Sequence, residues 1–96
     1  KFSLREDLPN QDELKPEQKA FLEAISAKVA QAPKDADGVW FHQAIYELKD
    51  GTELSPKDMF ATLYQVLIGQ DSGPRAGWFL SILPRDWLID RLALKS

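Results

Sequence analysis

One stretch of this sequence gathers residues that could do chemistry: Gly69-Gln70-Asp71-Ser72-Gly73-Pro74-Arg75-Ala76-Gly77-Trp78-Phe79. A tight loop leads into a helix start, where backbone N–H groups lack intrahelical partners and an arginine stands in the first turn. Such a site can hold a phosphate. Trp78 adds a flat face on which a base could stack. The packing alternative gives Gly69 and Gly73 to turns, pairs Arg75 with a nearby carboxylate and places Trp78 in the core. Gly77 within a helix costs about 1 kcal/mol relative to alanine, so it points to the close approach of another helix.

Other chemistries find little here. His42 is the only histidine and lies between Phe41 and Gln43, away from any nucleophile-elbow pattern; it reads as a surface or partly buried helix residue. With one histidine and scattered carboxylates there is no metal-ligand spacing. The absence of cysteine removes disulfides, thiolate nucleophiles, iron–sulfur clusters and cysteine zinc sites. Glu6-Asp7, Asp12-Glu13 and Asp35/Asp37 fall in polar segments where nothing would raise a carboxyl pKa for acid catalysis. No glycine-rich loop of the nucleotide-binding types is present.

The elements that must position these residues are helices. Pro16 suits a first helical position, and Phe21, Leu22, Ile25 and Val29 share one face, which predicts a helix over 16–32 that ends before Pro33. A second is predicted over 37–49, capped by Asp35 or Asp37, with Trp40, Phe41, Ala44, Ile45 and Leu48 inward and Asp50-Gly51 as its stop. The third, over 56–68, has Ser55 as cap, Pro56 at the first position, Asp58 in the first turn and Gly69 as its close. Leu54 and Met59 are spaced as a hydrophobic staple. Two short helices follow. One, over 74–83, is expected to bury Trp78, Phe79, Ile82 and Leu83; the other, over 84–94, Trp87, Leu88, Leu92 and Leu94, with a corner at Pro84. Residues 1–15 read as an irregular linker arm and 16–96 as a single helical domain. The fold class is all-α, a compact bundle or cage of about five helices.

Length and composition agree with that. Ninety-six residues make one domain, and 44% hydrophobic content with three Trp, five Phe and two Tyr supports a core. No apolar run approaches the ~20 residues of a membrane span. The net charge is −3, with seven Lys/Arg against ten Asp/Glu in residues 1–50 and five against five in residues 51–96. A binder that relies on bulk positive charge would show a basic excess, so any RNA contact must be local or shared with a larger body. The chain starts at Lys1 with no signal segment behind it; the expectation is a piece of a longer protein.

The segments Met59-Phe60-Ala61-Thr62-Leu63-Tyr64-Gln65-Val66-Leu67-Ile68-Gly69 and Ser72-Gly73-Pro74-Arg75-Ala76-Gly77-Trp78-Phe79-Leu80 resemble the extreme C-terminus of class I, archaeal-type lysyl-tRNA synthetases. Asp86-Trp87-Leu88-Ile89-Asp90-Arg91-Leu92 is similar too, so the resemblance covers roughly residues 10–94. It implies a parent enzyme of the cytoplasm that couples lysine to its tRNA through an ATP-dependent adenylate, with ATP and Mg in a catalytic domain outside this chain. The C-terminal part would be the end of a helical cage that reads the anticodon. The HIGH- and KMSKS-type motifs of class I enzymes are absent here, so the resemblance implies no catalytic residue, cofactor or metal in these residues. Its implied partners are tRNA(Lys) and the remainder of the parent chain, with no membrane.

Residue type and helix-start position nominate Lys57, Arg75, Trp78 and Arg85 as RNA contacts. Bases splayed from a loop are read by stacking and edge hydrogen bonds, which need little net charge. The alternative is a non-catalytic helical protein–protein interaction module. A cage fragment should expose a flat apolar face, with self-association as one consequence; an adaptor should show a groove for a partner helix. A small self-contained enzyme has little support with one histidine and no cysteine.

Overall fold

Ser55-Pro56 starts a helix for two physical reasons. The Ser55 hydroxyl accepts the Asp58 backbone N–H at 3.1 Å, and Pro56 sits where a missing N–H costs nothing. The computed structural model, which describes residues 3–95, runs this helix over Pro56–Ile68 and closes it at Gly69, whose φ of 72° is left-handed. In chain order the helices are α1 (Pro16–Ala30), α2 (Gly38–Tyr46), α3 (Pro56–Ile68), α4 (Ala76–Ser81) and α5 (Arg85–Leu92), with 3-10 turns at Gln11–Glu13 and Lys49–Gly51. Among the described residues there is no strand, and the all-α expectation holds. Lys1, Phe2 and Ser96, which the sequence reading assigned to the arm and the domain end, lie outside the described residues.

Helix ends differ from expectation where backbone groups find other partners. α1 stops at Ala30, because the N–H groups of Gln31 and Ala32 turn back to Lys28 and Val29 in tighter bonds. Asp37 caps α2 by accepting the Trp40 N–H at 3.0 Å, but α2 ends at Tyr46 instead of reaching 49. Leu48 and Gly51 donate to Ile45 and Leu48, each at 3.1 Å, so the chain tightens into a 3-10 turn. Gly51 is therefore no left-handed stop; among the described glycines only Gly69 has a positive φ. α4 begins at Ala76 instead of 74. The Tyr64 hydroxyl donates to the Pro74 carbonyl at 2.5 Å, and Arg75 is extended at ψ 119°. Pro84 is likewise a cap, with ψ 127°, so α5 begins at Arg85. At its other end Leu94 takes φ 61° while Lys95 and Leu94 donate to Asp90 and Arg91. That is a Schellman closure on a leucine, at a cost of about 1 kcal/mol.

α1 packs on α2, α3 and α5, while α2 pairs most extensively with α4 and α3 also meets α5. Leu22, Ile25 and Val29 of α1 meet a core with Phe41, Ile45, Leu63, Leu67, Leu80, Leu88 and Leu92, all fully buried. Two hydrogen bonds pin α1 across this core: Gln18 Nε2 donates to Thr62 Oγ1 at 3.0 Å, and Ser26 Oγ to the Ile89 carbonyl at 2.8 Å. α4 buries Ala76, Gly77 and Leu80. The expectation that it buries Trp78 and Ile82 is corrected, since these are 44% and 77% exposed. The helix is only six residues long and is pressed on α2 at Gly77, so Trp78 and Ile82, one turn apart, face outward.

The N-terminal arm is tied down by one buried arginine. Arg91 donates to the carbonyls of Arg5, Asp7 and Val66 through Nη1 and of Glu6 through Nη2. Its guanidinium also stacks 4.8 Å from the Trp87 ring centroid. Burial pulls the Arg91 pKa below its usual range, as does the neighbouring Arg5 charge, with Asp7 opposing. Arg5 adds its own N–H to the Leu67 carbonyl at 2.8 Å and a guanidinium N–H to that of Gln65 at 3.1 Å. Two cations thus meet the negative end of α3.

Candidate nucleic-acid interface

The surface begins with two glycines. A Cβ on Gly77 would lie 2.5 Å from the Gly38 carbonyl oxygen and 2.9 Å from the backbone nitrogen and the Cβ of His42. Real Cβ atoms do not come that close, so α4 crosses α2 at a separation only glycine permits. The sequence reading of Gly77 as a point of helix approach is correct; its counterpart Gly38 was not read.

The crossing fixes Trp78. Its indole lies over Gly38, where a Cβ would come within 2.2 Å of the ring. The Arg75 guanidinium carbon is 4.6 Å from the Trp78 ring centroid, a cation–π distance. Among the described residues the ion pairs are Arg5–Asp7 at 3.9 Å and Lys28–Glu47 at 2.7 Å. Arg75 is in neither, so the carboxylate partner of the packing alternative is not found. Arg75 is exposed and stays available to an anion.

Further aromatic groups continue from Trp78 along α2. His42, beside Gly77, has its ring 4.7 Å from Tyr46, and Tyr46 lies 5.7 Å from Phe60 on α3. Lys57 is exposed and three residues before Phe60, hence on the same side of α3. Arg75 and Trp78 therefore stand at one end of an aromatic strip and Lys57 at the other. From Gly38 to Tyr46 the helix rises about 12 Å, the reach of roughly three stacked bases. Val39 and Tyr46 on α2 are 54% and 41% exposed.

Arg85 has different neighbours. It donates to the carbonyls of Ala32 and Pro33 at 3.1 and 3.2 Å and sits 5.4 Å from the buried Phe41 ring, which fastens the start of α5 to the α1–α2 loop. Sequence reasoning missed Gly38, His42, Tyr46 and Phe60. The four-residue spacing of His42 and Tyr46 was visible, but their meeting with Phe60 depends on tertiary packing.

Glu17, Glu53, Asp58 and Asp71, with Lys15 as the one cation, line a cavity of about 240 Å³ beside α1 and α3. Such an acidic surface repels a polyanion and narrows the side from which RNA can approach. Among the described residues no three His, Asp or Glu side chains converge as metal ligands. No described helix is long and apolar enough to cross a membrane.

A family model described as an anticodon binding domain matches residues 2–94. Lysine–tRNA ligase 1 of Methanosarcina acetivorans is 38% identical over 95% of this chain and 20% of its own length. The lysine–tRNA ligase of Methanosphaera stadtmanae is 33% identical over the whole chain and 18% of its own. That of Methanocaldococcus jannaschii is 34% identical over 86% of this chain and 15% of its own. The chain spans a fifth or less of the length of the curated relatives it matches.

Proposed function

The chain belongs to the anticodon binding domain family, and from that premise we propose that it is the anticodon-reading end of a class I lysine–tRNA ligase, residues 16–96 forming the domain and 1–15 the arm that leads into it. Its own task is to hold the anticodon arm of tRNA(Lys) for aminoacylation. Catalysis, with ATP and Mg, belongs to the part of the parent enzyme outside these residues, and the whole works in the cytoplasm. The observation that carries this reading is the exposed Arg75–Trp78 pair at the head of an aromatic strip that ends near Lys57. Planar groups, aromatic rings and guanidinium alike, take splayed bases, and the cations take the backbone phosphates. Arg85, seated on the Ala32 and Pro33 carbonyls, is the remaining RNA contact of this reading.

Exposed Val39 and Ile82 support a second contact, with the remainder of the parent chain, or self-association when that remainder is missing. A stand-alone protein–protein module is the competing reading.

In the parent ligase, Arg75→Ala should raise the KM for tRNA by more than about tenfold and leave lysine-dependent adenylate formation unchanged. The tRNA loses a charge-assisted contact with this side chain, and on this reading the reacting atoms belong to the part of the ligase outside these residues. Steady-state aminoacylation beside ATP–pyrophosphate exchange checks it. Equal loss in both assays would mean that Arg75 serves the fold.

A further inference from the structure

Gly38 and Arg75 both lie against the Trp78 indole. A Cβ built on Gly38 would lie 2.2 Å from Cδ2 of the indole and 2.5 Å from Cε2 and Cγ. Cδ2 is a ring-fusion carbon with no hydrogen and no free edge, so the Gly38 backbone meets the indole over its face. That leaves the opposite face for the Arg75 guanidinium, 4.6 Å from the ring centroid. The 44% exposure of Trp78 is then exposure of its edges. An incoming base cannot lie flat on the indole in this arrangement. A guanidinium lying parallel to that face would offer its own outer face to solvent.

We propose that Gly38, Trp78 and Arg75 form a three-layer stack whose outermost layer, the Arg75 guanidinium, takes one unpaired RNA base face to face. Gly38 is the positioning residue that sets the height of the indole. This rests on the RNA-binding reading above and deepens it by naming the layer that meets the base. A guanidinium is planar, delocalised and weakly hydrated, so it stacks between two π systems as a lysine ammonium cannot. Unstacked RNA bases settle on arginine planes as readily as on aromatic rings. The indole behind Arg75 removes much of the side-chain freedom that binding would otherwise have to freeze. No carboxylate among the described residues pairs with Arg75, so its N–H donors remain free for the base edge or the adjoining phosphate.

The test uses a hairpin RNA with an anticodon-length loop, and the same hairpin with single loop bases removed to leave abasic sugars. The chain should lose affinity about tenfold at one abasic position, the scale of one base stack. Arg75→Lys keeps the charge and removes the plane. It should lose about the same factor on intact RNA, nothing further on that abasic RNA, and keep the salt dependence of the natural chain. In a Trp40→Phe/Trp87→Phe background, where Trp78 is the only indole, Gly38→Ala should shift the emission to the red and weaken binding to intact RNA alone.

If Arg75→Lys binds intact RNA as tightly as the natural chain, or if its loss and the abasic loss multiply, the stack is wrong while the RNA-binding reading stands. Unchanged emission and affinity in Gly38→Ala would overturn the positioning role. If the folded natural chain binds no hairpin, both the stack and the reading beneath it fall. Arg75 is exposed, so the lysine variant does not put the fold at risk.

Discussion

Gly77→Ala should destabilise this domain by about 2 kcal/mol and lower its melting temperature by about 10 °C. The sign is not obvious in advance. Alanine gains about 1 kcal/mol over glycine in a helix interior, and in an exposed helix it would stabilise. Here the added methyl would sit 2.5 Å from the Gly38 carbonyl oxygen and 2.9 Å from the His42 backbone nitrogen. Both neighbours are backbone atoms, so neither can rotate away as a side chain would. α4 must lift from α2 along the most extensive helix pairing in the domain, and separation costs more than propensity returns. Because α4 carries Trp78 and leads from Arg75, the same variant should also weaken RNA binding. Thermal and denaturant unfolding decide it; a neutral or stabilised Gly77→Ala would show that the crossing has room to spare.

Arg91→Met should cost about 3 kcal/mol and release the N-terminal arm. Methionine retains the stem but no donor, which strands the Val66 carbonyl inside and frees those of Arg5, Glu6 and Asp7. Hydrogen bonds to a charged donor contribute about 1.5–3 kcal/mol each, and the arm carbonyls recover part of that from water. Removing a desolvated cation also returns some energy, as its lowered pKa indicates. The sum still favours arginine, because one side chain serves four acceptors. Hydrogen exchange at the Arg5 amide, bonded to Leu67 in the native fold, gives a local reading beside global unfolding. Accelerated exchange there is the expected result; full protection in the variant would mean that the arm is held by other contacts.

The sequence was most legible where local chemistry decides the structure. Ser55-Pro56 and Gly69 mark both ends of α3, Pro16 the start of α1 and Asp37 the cap of α2. Legibility failed where a distant group intervened. Tyr64 draws the Pro74 carbonyl out of any helix that could begin there, and Leu48 folds back on the core through a tight turn instead of one more helical residue.

The candidate interface was half visible. Gly77 advertised a close approach through its cost in a helix, but Gly38, directly after a capping aspartate, looked like an ordinary helix start. Arg85 has the residue type of a phosphate contact, and its bonds to Ala32 and Pro33 join positions more than fifty residues apart, a pairing no local pattern encodes. Trp78 carries two readings, a core residue of the fourth helix and a stacking face for a base, and the sequence alone does not choose between them. Its outward turn follows from where the glycine crossing places the short α4.

The most direct test of the account is equilibrium binding of this chain to lysine tRNA and to the same tRNA with its anticodon replaced, across a series of salt concentrations. Base readout by an aromatic and arginine surface predicts tighter binding to the lysine anticodon at every salt, with both affinities falling together as salt rises and phosphate contacts weaken. Equal affinity for the two tRNAs, or no binding by a chain that melts cooperatively, would contradict it.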